Sequence, residues 1–109
     1  MTNKTSETLK EKLTSELQET DYAALLHYFE NKTLFIIDQK IDLIEAACAV
    51  ASDDIEKVKI WQKMELIRNL TDKENEDFSK TPHLKMANFL IVQPFVLMQK
   101  LEVVEPILN

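Results

Sequence analysis

Apolar positions fall along this chain in two rhythms, helical stripes and short continuous runs, and the changes between them predict its elements. Leu9, Leu13 and Leu17 recur every fourth residue among charged neighbours, which predicts a surface helix over about 7–18 with a narrow apolar stripe. Thr20 or Asp21 can cap a second helix carrying Tyr22, Leu25, Leu26 and Phe29, ending near Asn31. Leu34-Phe35-Ile36-Ile37 is continuous, β-branched and aromatic, and reads as a buried strand over 34–38. Asp42-Leu43-Ile44-Glu45 has the form of a capping box and starts a third helix, whose Ala46, Ala47, Ala49 and Ala51 permit close packing. Ser52-Asp53-Asp54 breaks it and caps a fourth helix with Ile55, Val58 and Trp61 or Gln62 on one face, so these two helices form a hairpin. Residues 66–70 read as a short strand, and Thr71-Asp72-Lys73-Glu74 opens a fifth helix that turns Phe78 inward and closes at Thr81-Pro82.

The most apolar stretch is Met86 to Gln99, interrupted by Gln93-Pro94. A membrane-spanning helix needs about 20 consecutive apolar residues, and this run is shorter and polar at its centre. A helix through Pro94 loses a hydrogen bond and clashes with the turn before it, whereas a strand tolerates proline at an edge or a bulge. The expectation is two strand segments in line over 88–99, bent at Gln93-Pro94. Together these elements predict one α+β domain over residues 1–109, with its core at about 7–100 and an apolar tail over 101–109. Its small mixed sheet has about three strands (34–38, 66–70 and 88–99), with helices mainly on one face.

Composition narrows the function. Acidic residues outnumber basic ones 19 to 13, and Arg68 is the only arginine, so a clustered phosphate-binding surface is not expected and nucleic acid is not an expected partner. The N-terminal residues carry charges and no apolar core of a signal peptide, and the single Cys48 has no internal disulfide partner, which together predict a cytoplasmic protein. Glycine is absent, which excludes Gly-rich phosphate loops, dinucleotide fingerprints and nucleophile elbows. Left-handed backbone positions then fall to Asn or Asp, with Asn31 the leading candidate.

Candidate chemistry is sparse. His27 and His83 lack partners at ligand spacing, so neither a metal nor a cofactor is expected, and Cys48 among alanines reads as a small buried hydrophobe. The acidic set Asp38, Asp42, Glu45, Asp53, Asp54 and Glu56 supplies the raw material of magnesium or acid–base sites, yet Asp42, Glu45, Asp53 and Glu56 fall where helix starts favour negative charge. Asp38 differs, ending a predicted strand, where ligands often meet α/β sheets. With Asp42 and Gln93 it forms the candidate ligand pocket. Trp61, Tyr22 and Phe95 suit either a stacking platform or core packing.

In order along the chain, Leu9-Lys10-Glu11-Lys12-Leu13, Asp21-Tyr22-Ala23-Ala24-Leu25, Leu34 to Asp38 and Asp42-Leu43-Ile44-Glu45-Ala46-Ala47 form one linked series. Asp53-Asp54 with Val58 and Trp61, Leu70-Thr71-Asp72-Lys73-Glu74 and Val92-Gln93-Pro94-Phe95-Val96-Leu97 complete it. This order resembles a family of small bacterial proteins known as domain of unknown function 2288, over about residues 9–100. Tyr22 and Phe95 stand where the family is expected to favour tryptophan, and its usual turn glycines are missing. The resemblance implies a fold and no catalytic residues.

Two functions follow as expectations. The first is a non-enzymatic protein-interaction module that self-associates as a homodimer or meets another protein. Its interface would use Phe95, Leu97, Leu101, Val104 and Ile107, since a small domain has limited means to bury both the run after Pro94 and the tail; the alternative is a tail folded back over its own sheet. The second is a small-ligand-binding protein or minor enzyme using Asp38, Asp42 and Gln93.

Overall fold

The computed structural model describes residues 4–101, with side chains described from Leu9 onward. Its elements in chain order are α1 (Lys4–Glu16), β1 (Gln18–Asp21), α2 (Leu26–Glu30), β2 (Leu34–Ile37) and α3 (Leu43–Ala51), then α4 (Ile55–Lys63), β3 (Ile67–Asn69), α5 (Asp72–Ser79), β4 (Lys85–Val92) and β5 (Phe95–Lys100). The strands form one five-stranded mixed sheet in the order β1-β4-β5-β2-β3, where three strands were expected. Only β2 and β5 run parallel; the other neighbours are antiparallel.

The two missing strands have separate physical causes. β1 reads Gln-Glu-Thr-Asp, a polar sequence with weak strand preference, and it exists because it pairs with β4 from Gln18↔Phe89 to Asp21↔Lys85. Its charges suit an outer strand, where they discourage pairing with another chain. The expected second helix is shortened in consequence. Asp21 caps only a turn, accepting from the Ala24 amide at 3.1 Å, and helical geometry begins at Leu26. The second cause lies at Gln93-Pro94, which forms the two-residue tip of a hairpin. The segments expected to lie in line instead fold back on each other, with Val92 opposite Phe95 and Leu90 opposite Leu97.

That hairpin puts β5 at the centre of the sheet, which explains why Val96, Leu97 and Met98 are continuously apolar: both faces there are covered. On one face Ile37, Ile67, Leu90 and Leu97 of the sheet pack with Leu13 of α1, Leu43 and Ile44 of α3, and Val58 and Trp61 of α4. The small Ala46 and Ala47 let α3 lie close over β4 and β5. A second core fills the other face, with Tyr22, Leu25, Leu34, Ile36, Val96 and Met98 against Phe29 of α2 and Phe78 of α5. Three helices thus cover one face, as the expectation of helices mainly on one face has it, and the short α2 and α5 serve the other.

Local capping follows the sequence closely. Asp42 accepts from the Glu45 amide at 3.1 Å and Asp54 from the Lys57 amide at 3.3 Å, starting α3 and α4. Thr71 and Glu74 form a reciprocal capping box at α5. Among the described residues three have positive φ: Lys32 at 63°, Asp53 at 60° and Glu65 at 62°. Asn31, the expected left-handed position, has φ −87°, and the left-handed step falls one residue later. Without glycine, two of these turns use long charged residues whose Cβ strains the backbone. Lys32→Gly is expected to raise stability by about 0.5–1 kcal/mol, as relief of that strain exceeds the extra chain entropy of glycine. Urea unfolding checks it, and a lower midpoint contradicts it.

Candidate functional site

The carboxyl ends of the parallel pair β2 and β5 open onto a cleft of about 420 Å³. Asp38, Gln39 and Lys100 continue from the two strands, Glu65 and Arg68 come from the β3 end, and Glu74 reaches in from α5. Such strand ends are where ligands meet open α/β sheets, because the chain leaves the sheet there and exposes backbone and side-chain polar groups.

Most of those polar groups are already engaged with one another. Arg68 donates through Nη1 and Nη2 to the two carboxylate oxygens of Glu74, each at 2.8 Å, a bidentate geometry that fixes both side chains. Glu74 also accepts from the Thr71 amide at 3.0 Å. The hydrogen bonds from Arg68 hold the Glu74 carboxyl down at about 2, below its usual 4.5, and the same hydrogen bond raises Arg68. Asp38 accepts from the Lys40 amide at 2.8 Å, while its own amide donates to the Leu66 carbonyl at 2.8 Å. Gln99 donates to the carbonyls of Asp38 and Ile41, at 3.0 and 2.8 Å, and the Gln39 amide group donates to the Lys100 carbonyl. The cleft is thus built from groups that brace the ends of β2 and β5.

The sequence candidates Asp38, Asp42 and Gln93 do not converge. Asp38 lines this cleft, Asp42 caps α3, and Gln93 lies at the hairpin tip, the opposite end of β5, in a separate groove with Leu9, Glu16 and Val50. Among the interface candidates, Leu97 is 1% exposed in the core, so it is unavailable as a contact residue in this fold. Phe95 packs edge-on against Phe35 with ring centres 5.5 Å apart, and Leu101 is half-buried at the cleft. Val104 and Ile107 lie outside the described residues.

The remaining chemistry is dispersed too. His27 meets Asn31 at 3.1 Å, and the exposed His83 approaches Asp21 at 3.8 Å. Among the described residues no three His, Cys, Asp or Glu side chains are grouped to hold a metal. Cys48 is half-buried, less enclosed than its alanine neighbours imply, in a groove beside Lys10 and Lys57. Burial pushes its thiol up, away from the reactive thiolate. Tyr22 is buried and donates to Asn75 at 2.6 Å; burial first, then Glu30 and Glu74, pushes its hydroxyl up to about 12. Tyr22 and Trp61 pack with opposite cores, so they form no common stacking platform. No helix among the described residues is long and apolar enough to cross a membrane.

Sequence reasoning missed the Arg68–Glu74 pair, although both clues are present: the solitary arginine lies six residues before the last residue of a capping box. What the residues define is a small mixed α+β protein whose polar cleft at the carboxyl ends of β2 and β5 is internally paired. The chain belongs to a family described as protein of unknown function (DUF2288), whose model matches residues 8–100. It is also similar to a protein from Pseudomonas aeruginosa, PA1075, solved in solution by NMR. The two share 27% identity and a TM-score of 0.73, over 100% of this chain and 98% of that one. No curated protein matches the chain.

Proposed function

We propose that this chain is a non-enzymatic protein-interaction module that self-associates, with α4 as its contact face. The observation that carries this reading is the under-burial of α4. Ile55, Val58, Ile60 and Trp61 lie on it and Met64 caps its end, yet no residue of the helix is buried. Ile60 and Met64, one turn apart, are 56% and 61% exposed. A helix normally hides its apolar side chains against the core, and α4 places only Val58 and Trp61 partly there.

Charge points to the kind of surface it meets. α4 carries Lys57, Lys59 and Lys63 against the single Glu56, in a chain of net charge −6. Two such faces in direct apposition would bring lysines together, whereas an acidic surface complements them. A second copy supplies one in α5, with Asp72, Glu74, Glu76 and Asp77 against Lys73, and two-fold symmetry lets both copies make that contact at once. The dispersal of Asp38, Asp42 and Gln93 supports this reading over a pocket built from them. A cytoplasmic setting belongs to it, supported by the single cysteine.

Light scattering after size exclusion tests the proposal. The mass of the natural chain is expected to rise toward a dimer between micromolar and near-millimolar concentration. The Ile60→Glu, Met64→Glu double variant is expected to stay monomeric with an unchanged melting temperature, because neither side chain is in the core. A monomer mass for both proteins throughout overturns self-association. A second reading, a small-ligand site, retains Asp38 and joins it to Lys100, because the two lie together at the carboxyl ends of the parallel strands.

A further inference from the structure

We propose that the cleft at the carboxyl ends of β2 and β5 binds a small zwitterion of the α-amino-acid class, its carboxylate on Lys100 and its ammonium on Asp38. This ligand class rests on the second reading, of the cleft as a small-ligand site, and does not involve α4. Asp38 directly follows β2 and Lys100 ends β5, the parallel neighbour, and both side chains line the cleft. Although their charges are opposite, no ion pair joins them. Lys100 Nζ lies instead 5.8 Å from the centre of the Phe78 ring. One Asp38 oxygen accepts from the Lys40 amide, and the other has no hydrogen bond among the described residues. The two strand ends are held without these charges: the Gln99 side chain donates to the Asp38 carbonyl at 3.0 Å, the Gln39 side chain to the Lys100 carbonyl, and the Asp38 amide to the Leu66 carbonyl at 2.8 Å. Fixed backbone with opposite charges left unjoined is a preorganised arrangement, which a ligand carrying both charges completes.

Charge and lining select the class. The cleft gathers the carboxylates of Asp38, Glu65 and Glu74 with the cations of Arg68 and Lys100. Arg68 and Glu74 neutralise each other through their bidentate bonds, leaving Asp38 and Glu65 against Lys100. A bare anion would meet two carboxylates for one ammonium, and a bare cation would leave Lys100 uncompensated. A zwitterion satisfies both ends. Neighbouring strands lie about 4.8 Å apart, so one small molecule reaches Asp38 and Lys100 together. Ile36, Ile37 and Leu101 supply an apolar lining for its side chain, and about 420 Å³ is a volume typical of small-molecule sites.

Amide NMR titration of the natural chain with leucine, N-acetyl-leucine and leucine methyl ester tests the proposal, because each derivative lacks one of the two charges. Leucine is expected to shift Asp38, Gln39 and Lys100 saturably at about millimolar strength, with each single-charge probe at least about tenfold weaker. Lys100→Met and Asp38→Asn are each expected to weaken leucine at least about tenfold. Both side chains are exposed, and asparagine keeps an oxygen for the Lys40 amide, so the melting temperature is expected to stay unchanged. The comparison of probes uses only the natural chain and holds even where a variant is less stable. A single-charge probe that matches leucine at these residues overturns the zwitterion and leaves the cleft a ligand site. Full leucine affinity in both variants overturns the roles of Asp38 and Lys100. Absence of saturable shifts at Asp38, Gln39 and Lys100 with all three probes overturns both the zwitterion and the reading of the cleft.

Discussion

Leu97→Ala is expected to cost about 3–4 kcal/mol of stability, because a fully buried leucine loses both its transfer energy and the contacts around the cavity it leaves. Leu97 is 1% exposed on the central strand, opposite Leu90 and among Ile37, Leu43 and Ile67, so no neighbouring loop can collapse into the space. Urea unfolding checks the size of the effect, with an unchanged slope showing that the folded state keeps its extent. Light scattering on the same variant separates core from interface. The natural concentration dependence of mass is expected to persist wherever the variant remains folded. A loss of self-association with little loss of stability would return Leu97 to an interface.

Glu74→Gln is expected to lower stability by about 1–2 kcal/mol at neutral pH, a figure reduced for partial exposure because solvent screens part of the pair. The Arg68 side chain is 39% exposed and that of Glu74 25%. Glutamine keeps an acceptor for the Thr71 amide, so the substitution removes the charge while preserving the capping geometry. The sign of the pH dependence follows from the carboxyl's position at about 2 in the folded chain, against 4.5 when unconstrained. A depressed carboxyl contributes fully above about pH 4.5, loses that contribution as pH falls, and contributes nothing once pH has passed below about 2. The stability difference between the natural chain and the variant is therefore expected to shrink across that window. A difference that stays constant with pH would mean that the loss comes from packing.

The elements readable from the sequence are those whose signals are local. Asp42, Asp54 and Thr71 sit three residues before the amides they cap, and β2 is a continuous apolar run that the sheet buries on both faces. β1 was not readable, because Gln-Glu-Thr-Asp becomes a strand only through pairing with β4, almost seventy residues away. The hairpin escaped notice because its two-residue tip carries neither the glycine nor the asparagine that usually marks such a turn. For the site, Asp38 was placed correctly at a strand end, but its partners depended on strand order. Parallel pairing of β2 with β5 brings Lys100 beside it and sends Gln93 to the far end of the sheet. The exposed face of α4 was hidden for a related reason. Ile55, Val58 and Trp61 look like an ordinary inward stripe until the sheet shows how little of the helix reaches it.

Amide NMR spectra of the natural chain, recorded from dilute to concentrated solution, test α4 most directly as the contact face. Concentration-dependent shifts are expected over residues 55–64 and on the acidic face of α5, with Asp38 and Lys100 unaffected. Shifts confined to the hairpin tip or to the cleft around Asp38 and Lys100, with residues 55–64 unmoved, would contradict it.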